Sequence, residues 1–151
     1  RTEEKILRLL QINGRMTNAE LAEAIGLSES PTLRRVRALE HGGVITGYGA
    51  RIDQRSLDLQ VTAFVQVQLE KHDEGKTKAF MGRVEEEPHI VECHAMSGAY
   101  DYLLKVVALN MDHFSELTMD GILAFPGVRN IESSFSLKTL KQSTPLPVNG
   151  A

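Results

Sequence analysis

The sequence predicts an α+β protein with two domains, a small helical domain followed by a larger β-α-β-β-α-β domain. Two observations support this division. Hydrophobic residues recur at helical spacing through the first 41 residues, with breaks at Asn13-Gly14 and Gly26. From residue 61 onward, alternating or continuous hydrophobic stretches are separated by two stretches of helical spacing. The chain has 151 residues, which is long enough for two such domains.

Charge and composition limit the classes of function. The formal net charge of −3 argues against a uniformly basic nucleic-acid-binding protein. Residues 1–59 hold nine basic and eight acidic side chains, and residues 60–151 hold eight and twelve. Any binding to DNA therefore needs a local cluster of basic side chains. The single cysteine, Cys93, excludes an internal disulfide, and the sequence has no membrane-spanning run or signal-peptide pattern, so we expect a cytoplasmic protein with no membrane partner.

Three short helices are predicted in the first domain. The first covers residues 2–11. The second begins at Thr17, where Glu20 completes a capping box, and it ends at Gly26. The third has the sequence SESPTLRRVRALEH and covers residues 28–41. Two short helices joined by a tight turn that contains glycine predict a helix-turn-helix over residues 1–47.

Helical spacing divides the third helix into two faces. Three hydrophobic side chains share one face and three arginines the other: Leu33, Val36 and Leu39 against Arg34, Arg35 and Arg37. Guanidinium groups suit phosphate oxygens and guanine edges, although a surface helix with solvated arginines is an equal alternative. If the helix binds DNA, the residues expected at the interface are Ser28, Ser30, Thr32, Arg34, Arg35, Arg37 and Arg51. Of these, Thr32 lies nearest the hydrophobic face.

Residues 48–60 are predicted to connect the domains. Two short extended pieces, residues 44–45 and 48–52, lie on either side of Gly47. They form either a small hairpin, as in a winged helix, or a path out of the domain. The residues from Asp53 to Gln60 read as a linker.

The second domain, residues 61–141, follows the order of a ferredoxin-like fold. Strands are predicted over residues 61–69, 89–96, 100–109 and 128–140, and helices over 75–87 and 111–123. This order gives a four-stranded antiparallel sheet with both helices on one face. Residues 142–151 are expected to form a loose tail.

The sheet face without helices should carry large hydrophobic side chains. We expect Phe64, Tyr102, Leu104 and Val106 there, or their alternates along each strand. One layer of helices is too small to cover them all, so the sequence predicts a homodimer formed through the sheets.

The sequence offers no pattern for catalysis or for a metal. No G-x-S-x-G, P-loop or zinc-ligand spacing occurs. Cys93 and His94 are neighbours on a predicted strand, so they point to opposite faces and cannot share a metal from one chain. We therefore expect no metal, no cofactor and no enzymatic activity.

Two separate motifs resemble one family, the leucine-responsive and asparagine-responsive (Lrp/AsnC) transcription regulators. The segment RMTNAELAEAIGLSESPTLRRVRALEHGGVITGYGARID is similar to the family's helix-turn-helix, and HIVECHAMSGAYDYLLKV to its effector-domain signature. FPGVRNIESSFSLKTLK is similar to its last strand. The resemblance implies binding to double-stranded DNA, homodimers that assemble to tetramers or octamers, and an amino acid as the small-molecule effector.

The resemblance also implies where the effector binds. The expected pocket lies between subunits, and its residues are Met96, Gly98, Ala99, Tyr100, Asp101, Ser133 and Ser134. Gly98 allows close approach of the backbone, and Asp101 can pair with an ammonium group. Many family members carry an acidic residue where this chain has Ala99, so the identity of the effector is open. The residues alone favour a tight turn in which the Asp101 carboxylate caps backbone amides, and only the resemblance favours effector binding.

Two other functions share these features. Siroheme decarboxylases resemble the family throughout and act on a tetrapyrrole, and fold alone does not exclude them. An architectural DNA-binding protein would differ only in lacking an effector. The exposed arginines distinguish the enzyme from the regulator, because an enzyme has no use for them.

Overall fold

The computed structural model describes residues 1–71, 73–143 and 145–148, and the chain divides into two compact units. Arg1–Arg51 and the described residues from Leu140 onward form the first unit. Ile52–Thr139 form the second unit. The division at residue 51 falls inside the segment predicted to connect the domains.

The first unit contains the three predicted helices, which are α1 (Thr2–Ile12), α2 (Asn18–Ile25) and α3 (Glu29–His41). The predicted capping box of α2 is confirmed: the Thr17 side chain accepts a hydrogen bond from the Glu20 backbone N–H at 3.1 Å, and the Glu20 carboxylate accepts one from the Thr17 N–H at 2.8 Å. Gly26 ends α2 with a φ of 75°, which favours glycine. The small core of this unit consists of the buried residues Ile6, Leu21, Ala22 and Thr32.

The segment after α3 does not form the hairpin that was one of its two predicted conformations. Residues 46–52 belong to no helix or strand. Tyr48 instead lies against Gly14, where an added Cβ would come 3.4 Å from the Tyr48 ring. The Arg51 guanidinium donates a hydrogen bond to the Ile12 carbonyl at 3.4 Å. Packing along the end of α1 thus takes the place of strand pairing.

The second unit has the predicted ferredoxin-like order. Its elements are β1 (Val61–Leu69), α4 (Glu74–Glu86), β2 (Ile90–Ala95), β3 (Tyr102–Ala108), α5 (Met111–Ser115) and β4 (Val128–Phe135). The strands are antiparallel in the order β2-β3-β1-β4. A short 3₁₀ helix, Gln54–Leu57, precedes β1. Two predicted bounds were wrong: β4 ends at Phe135, and after α5 the chain continues as a wide π-helical turn (Glu116–Gly121) and a 3₁₀ turn (Ile122–Ala124).

The register of β1 determines which side chains face the helices. Val65 lies opposite Leu104 on β3 and opposite Ser133 on β4. Residues opposite each other on antiparallel strands point to the same face, so Tyr102, Leu104 and Val106 face the helices with Val65. Of the two alternatives predicted for β3, the one that puts these three side chains on the open face is not observed, whereas Phe64 lies there as predicted. Their alternates on β3, Leu103, Lys105 and Val107, take the open face.

Aromatic rings fill the space between the sheet and the helices. Phe80 on α4 is fully buried, with its ring centroid 5.2 Å from that of Tyr102 and 6.1 Å from that of Phe125. Cys93 on β2 lies opposite Leu104 and so faces this core. Burial raises the pKa of the Cys93 thiol.

The last described residues were expected to be loose. Pro145–Val148 instead contact α1, as described below. Thr144 and residues 149–151 of that predicted tail lie outside the described residues.

Two leucines of the second unit test the location of the core. Leu104 is 0% exposed and Leu137 is 97% exposed. We expect Leu104→Ala to lower the free energy of unfolding by about 2–5 kcal/mol, because it leaves a cavity. Leu137→Ala should change it by less than about 0.5 kcal/mol. Urea unfolding monitored by circular dichroism measures both changes in free energy. Equal effects of the two substitutions would contradict this location of the core.

Candidate DNA-binding face and effector-binding turn

The outward side of α3 is a continuous exposed face. Its exposed residues share an arc of about 100° at helical spacing. They are Ser30, Arg34, Arg37, Ala38 and His41. We call this the α3 outer face. Two guanidinium groups among small side chains can approach phosphates and base edges without steric obstruction.

Thr32 is a core residue, and its prediction as a DNA contact was wrong. The side chain is fully buried, and its hydroxyl donates a hydrogen bond to the Ser28 carbonyl at 2.9 Å. At helical spacing Thr32 lies about 160° from Arg34 and about 120° from Ala38. The small hydroxyl with a local partner is what lets this position be buried without cost.

Arg35 does not lie on the outer face, contrary to the sequence analysis. It sits at the flank of α3, half-exposed, and its guanidinium forms an ion pair with the Glu3 carboxylate of α1. The pKa of Glu3 is lowered, first by a hydrogen bond from its own backbone N–H and then by Arg35. Arg35 therefore connects α3 to α1. A helical wheel of α3 alone does not show this contact.

The remaining predicted DNA contacts lie in two places. Ser28 is exposed at the N-cap position of α3, and its side chain makes no capping hydrogen bond, so its hydroxyl remains accessible. Arg51 is exposed but lies on the extended segment beside α1, where it contacts Ile12. The structure thus brings Ser28 together with the α3 outer face and leaves Arg51 on a different element.

The turn between β2 and β3 contains the predicted effector residues from Met96 to Asp101. Gly98 has a φ of 110°, which other residues rarely adopt. The Met96 N–H donates to the Asp101 carbonyl at 2.9 Å, which closes the turn. Gly98 and Ala99 are exposed at its tip, and an added Cβ at Gly98 would meet nothing within 4 Å. The backbone at the tip is therefore open to a ligand or to a second chain.

Asp101 holds this turn to the central strand. Its N–H donates to the Val67 carbonyl at 2.9 Å, and its carboxylate accepts the Leu69 N–H at 2.7 Å. The β1–β4 register shifts between Gln68 and Leu69, which frees that N–H from strand pairing. Of the two roles considered for Asp101, the structure shows the capping of a backbone amide.

Tyr100 extends the same connection to β4. Its hydroxyl donates to the Glu132 carboxylate at 2.6 Å, and this bond raises the pKa of Tyr100. Glu132 lies opposite Gln66 and points to the open face of the sheet. Sequence analysis missed Glu132, although its even spacing from Ser134 along the strand was a signal that the two share a face.

The two predicted serines do not join the turn within one chain. Ser133 lies opposite the buried Val65 and faces the helices, whereas Ser134 lies opposite Phe64 on the open face. Ser134 shares that face with Glu132, which the Tyr100 hydroxyl contacts, but among the described residues neither serine side chain forms a hydrogen bond with the turn. Contacts within one chain therefore do not assemble the predicted pocket.

A charged cluster on the open face was not predicted. The Glu92 carboxylate lies 2.9 Å from His94 Nε2 and 3.7 Å from Lys105 Nζ. The pKa of Glu92 is lowered, chiefly by the hydrogen bond with His94 and then by Lys105. These charges lie beside Phe64 in the register, so the open face is less hydrophobic than the sequence analysis expected.

The described part of the chain offers neither a cluster of metal ligands nor a membrane-spanning helix. No group of three or more histidine, cysteine, aspartate or glutamate side chains in it could hold a metal ion. None of its helices is both long and apolar enough to span a membrane.

A helix-turn-helix with an exposed basic face, followed by a ferredoxin-like domain with an open turn, defines a DNA-binding regulator with a ligand-binding domain. Residues 62–146 match the family described as Lrp/AsnC ligand binding domain, and residues 1–46 match a winged helix-turn-helix DNA-binding family. The chain belongs to the Lrp/AsnC family, as its two motifs predicted.

Individual relatives resemble the chain over nearly its whole length. A Bkd operon transcriptional regulator from Pseudomonas aeruginosa is 38% identical over 148 residues, which is 97% of each chain. The leucine-responsive regulatory protein of Salmonella typhimurium is 36% identical over 98% of this chain and 90% of its own. A transcriptional regulator from Neisseria meningitidis, solved as a complex with L-Met, has a TM-score of 0.94 and 40% identity over 99% of this chain and 96% of its own.

Reversing both charges of the Glu3–Arg35 pair tests whether Arg35 positions α3. Each single variant, Glu3→Arg or Arg35→Glu, should lower Tm, because it places like charges together. The double variant should recover most of the loss, since the attraction is restored. Tm measured at pH 7 and again below pH 4 checks the assignment.

The pH dependence has a defined sign. The folded pKa of Glu3 is below its ordinary value of 4.5, so the pair stabilises the fold above that value and the contribution is lost as pH falls through the folded pKa. The advantage of the wild type over Glu3→Gln should therefore disappear in acid. A double variant no more stable than the single variants would contradict the pairing.

Proposed function

We propose that this protein is a transcription regulator that binds double-stranded DNA through the α3 outer face and responds to an amino acid bound by its ferredoxin-like domain. The observation that carries the proposal is the exposure of Arg34 and Arg37 on a helix whose opposite side holds the buried Thr32. Membership of the Lrp/AsnC family supports both halves of it. Such a regulator works where the chromosome lies, in the cytoplasm.

DNA binding follows from the geometry of α3. A helix of this kind fits the major groove, with Arg34 and Arg37 reaching phosphates or guanine edges and Ser28 and Ser30 near the start of the helix. A two-fold dimer places two such helices about one DNA turn apart, or a multiple of it, on a near-palindromic site. A tetrapyrrole decarboxylase has no use for solvated arginines on this face. Their presence therefore favours a regulator over such an enzyme.

The proposed oligomer is at least a dimer, joined through the open face of the sheet. Phe64 on this face is 39% exposed, and the exposed backbone at Gly98 and Ala99 is open to a second chain. Assembly to tetramers or octamers is typical of the family. The dimer supplies the two-fold symmetry that DNA recognition needs.

The proposed effector is an amino acid with a small or hydrophobic side chain. Support comes from the relatives, of which one was solved with L-Met and others are named for leucine. The open backbone at Gly98 and Ala99 can receive a carboxylate. Because position 99 carries no acidic group, selectivity must come from other residues of the turn, with the charge of Asp101 available to an ammonium group.

Replacement of Arg34 tests the DNA-binding face. We expect Arg34→Ala to weaken binding both to a fragment selected from a random duplex library and to a scrambled duplex, because a phosphate contact is lost whatever the sequence. The slope of log K against log salt should fall by about one unit. Fluorescence anisotropy at several salt concentrations measures both quantities.

Arg129→Ala is the matched control for this experiment. It removes the same charge from an exposed position on β4, outside the DNA-binding unit. Its affinity and salt slope should equal those of the wild type. If Arg34→Ala binds as tightly as Arg129→Ala, the α3 outer face is not the binding surface.

Calorimetry against the twenty amino acids tests the effector. We expect at least one to bind, and Asp101→Asn to weaken that binding tenfold or more. Asparagine keeps an oxygen that can accept the Leu69 N–H, so the turn survives while the charge is removed. Unchanged affinity in Asp101→Asn would exclude ion pairing with the ligand, and unchanged affinity is the expected result for the exposed control Asp120→Asn.

A further inference from the structure

The last described segment, Pro145–Val148, binds to α1 through its backbone, and we call it the strap. The Gln11 side-chain amide donates to the Leu146 carbonyl at 3.1 Å and accepts the Leu146 N–H at 2.7 Å. One amide thus satisfies both backbone groups of Leu146, as a neighbouring β-strand would. The Gln11 side chain therefore binds the strap through backbone groups of Leu146.

A second contact lies on the same side of α1. The Arg8 guanidinium donates to the Val148 carbonyl at 2.9 Å. Arg8 and Gln11 are three residues apart in a helix, so their side chains are neighbours. Below them, Pro147 and Val148 border a groove of about 700 Å³ whose other side chains include Leu7, Leu39 and Val44. The groove joins the strap to α1 and to the end of α3.

The strap changes how the two units are connected. The chain passes between them twice, at Arg51–Ile52 and again at Thr139–Leu140. Without docking, only the first crossing would join the DNA-binding unit to the rest. Nine residues separate Phe135 from Pro145, and they can span at most about 30 Å. When the strap is docked, these nine residues form a second connection of limited length between the two units.

The contact is suited to reversible binding. Its three hydrogen bonds are all at exposed positions, and Leu146 remains 75% exposed. Exposed hydrogen bonds contribute little each, so the strap belongs to the part of the molecule that opens most easily.

We propose that the α1 surface formed by Arg8 and Gln11 is a docking site for the chain's own strap, and that docking restrains the DNA-binding unit and raises its affinity for DNA. The second part rests on the proposed function. A restrained unit has less conformational freedom to lose when two copies bind two half-sites together. Release of the strap therefore weakens DNA binding without changing a side chain of the α3 outer face.

Gln11→Ala in the full chain tests docking directly. Alanine is a better helix former than glutamine, so α1 remains folded. Hydrogen exchange at the Leu146 N–H, followed by NMR, should be slowed in the wild type and about tenfold faster in the variant. The control Gln60→Ala, at an exposed position of the second unit, should leave it unchanged. A wild-type Leu146 that exchanges at the rate of an unstructured peptide overturns docking.

Two further measurements separate the parts of the proposal. Protection of Leu146 that falls on dilution would assign the strap to a second copy and overturn docking within one chain. Gln11→Ala should weaken binding to the selected duplex three- to tenfold, whereas Gln60→Ala should not. Lost protection with unchanged DNA affinity would overturn the restraint alone. If the wild type does not bind DNA, the proposed function is overturned, and with it the proposal that docking raises DNA affinity. The exchange rates at Leu146 would still show whether the strap docks.

Discussion

The burial of one side of α3 is the constraint on which the DNA-binding unit depends. Thr32 is fully enclosed, and its hydroxyl is satisfied within the same helix turn. Because a helix is rigid over three turns, fixing this residue fixes the direction of every other side chain on α3. Arg34 and Arg37 point to solvent for this reason, and Arg35 is left at the flank, where the Glu3 carboxylate meets it.

The second unit depends in the same way on β1, one of the two central strands of the sheet. The alternation of Ala63, Val65 and Val67 commits one face of the sheet to the helices. At the end of this strand the register shift exposes an N–H that the Asp101 carboxylate accepts. The turn that could receive an effector is thus attached to a central strand, so a change at the turn would act on the middle of the sheet.

Much of this architecture could be predicted, because several local signals agree. The capping box at Thr17, the break at Gly26 and the alternation of β1 each require only neighbours along the chain. The face of β3 was left open between two alternatives, because Leu103, Leu104, Val106 and Val107 place hydrophobic side chains on both faces. Lys105 was the one signal that favoured the observed face, and pairing with β1 shows it. Arg35 and the strap were missed for a related reason, since their partners on α1 are 32 and 135 residues away.

The orientation of Cys93 has a practical consequence. Its sulfur faces the core, and burial keeps the thiol protonated, whereas alkylating reagents attack the thiolate. A new cysteine on an exposed helix position would therefore be modified first under mild conditions. A fluorophore or spin label can be introduced at one chosen place in this chain while the native sulfur is retained.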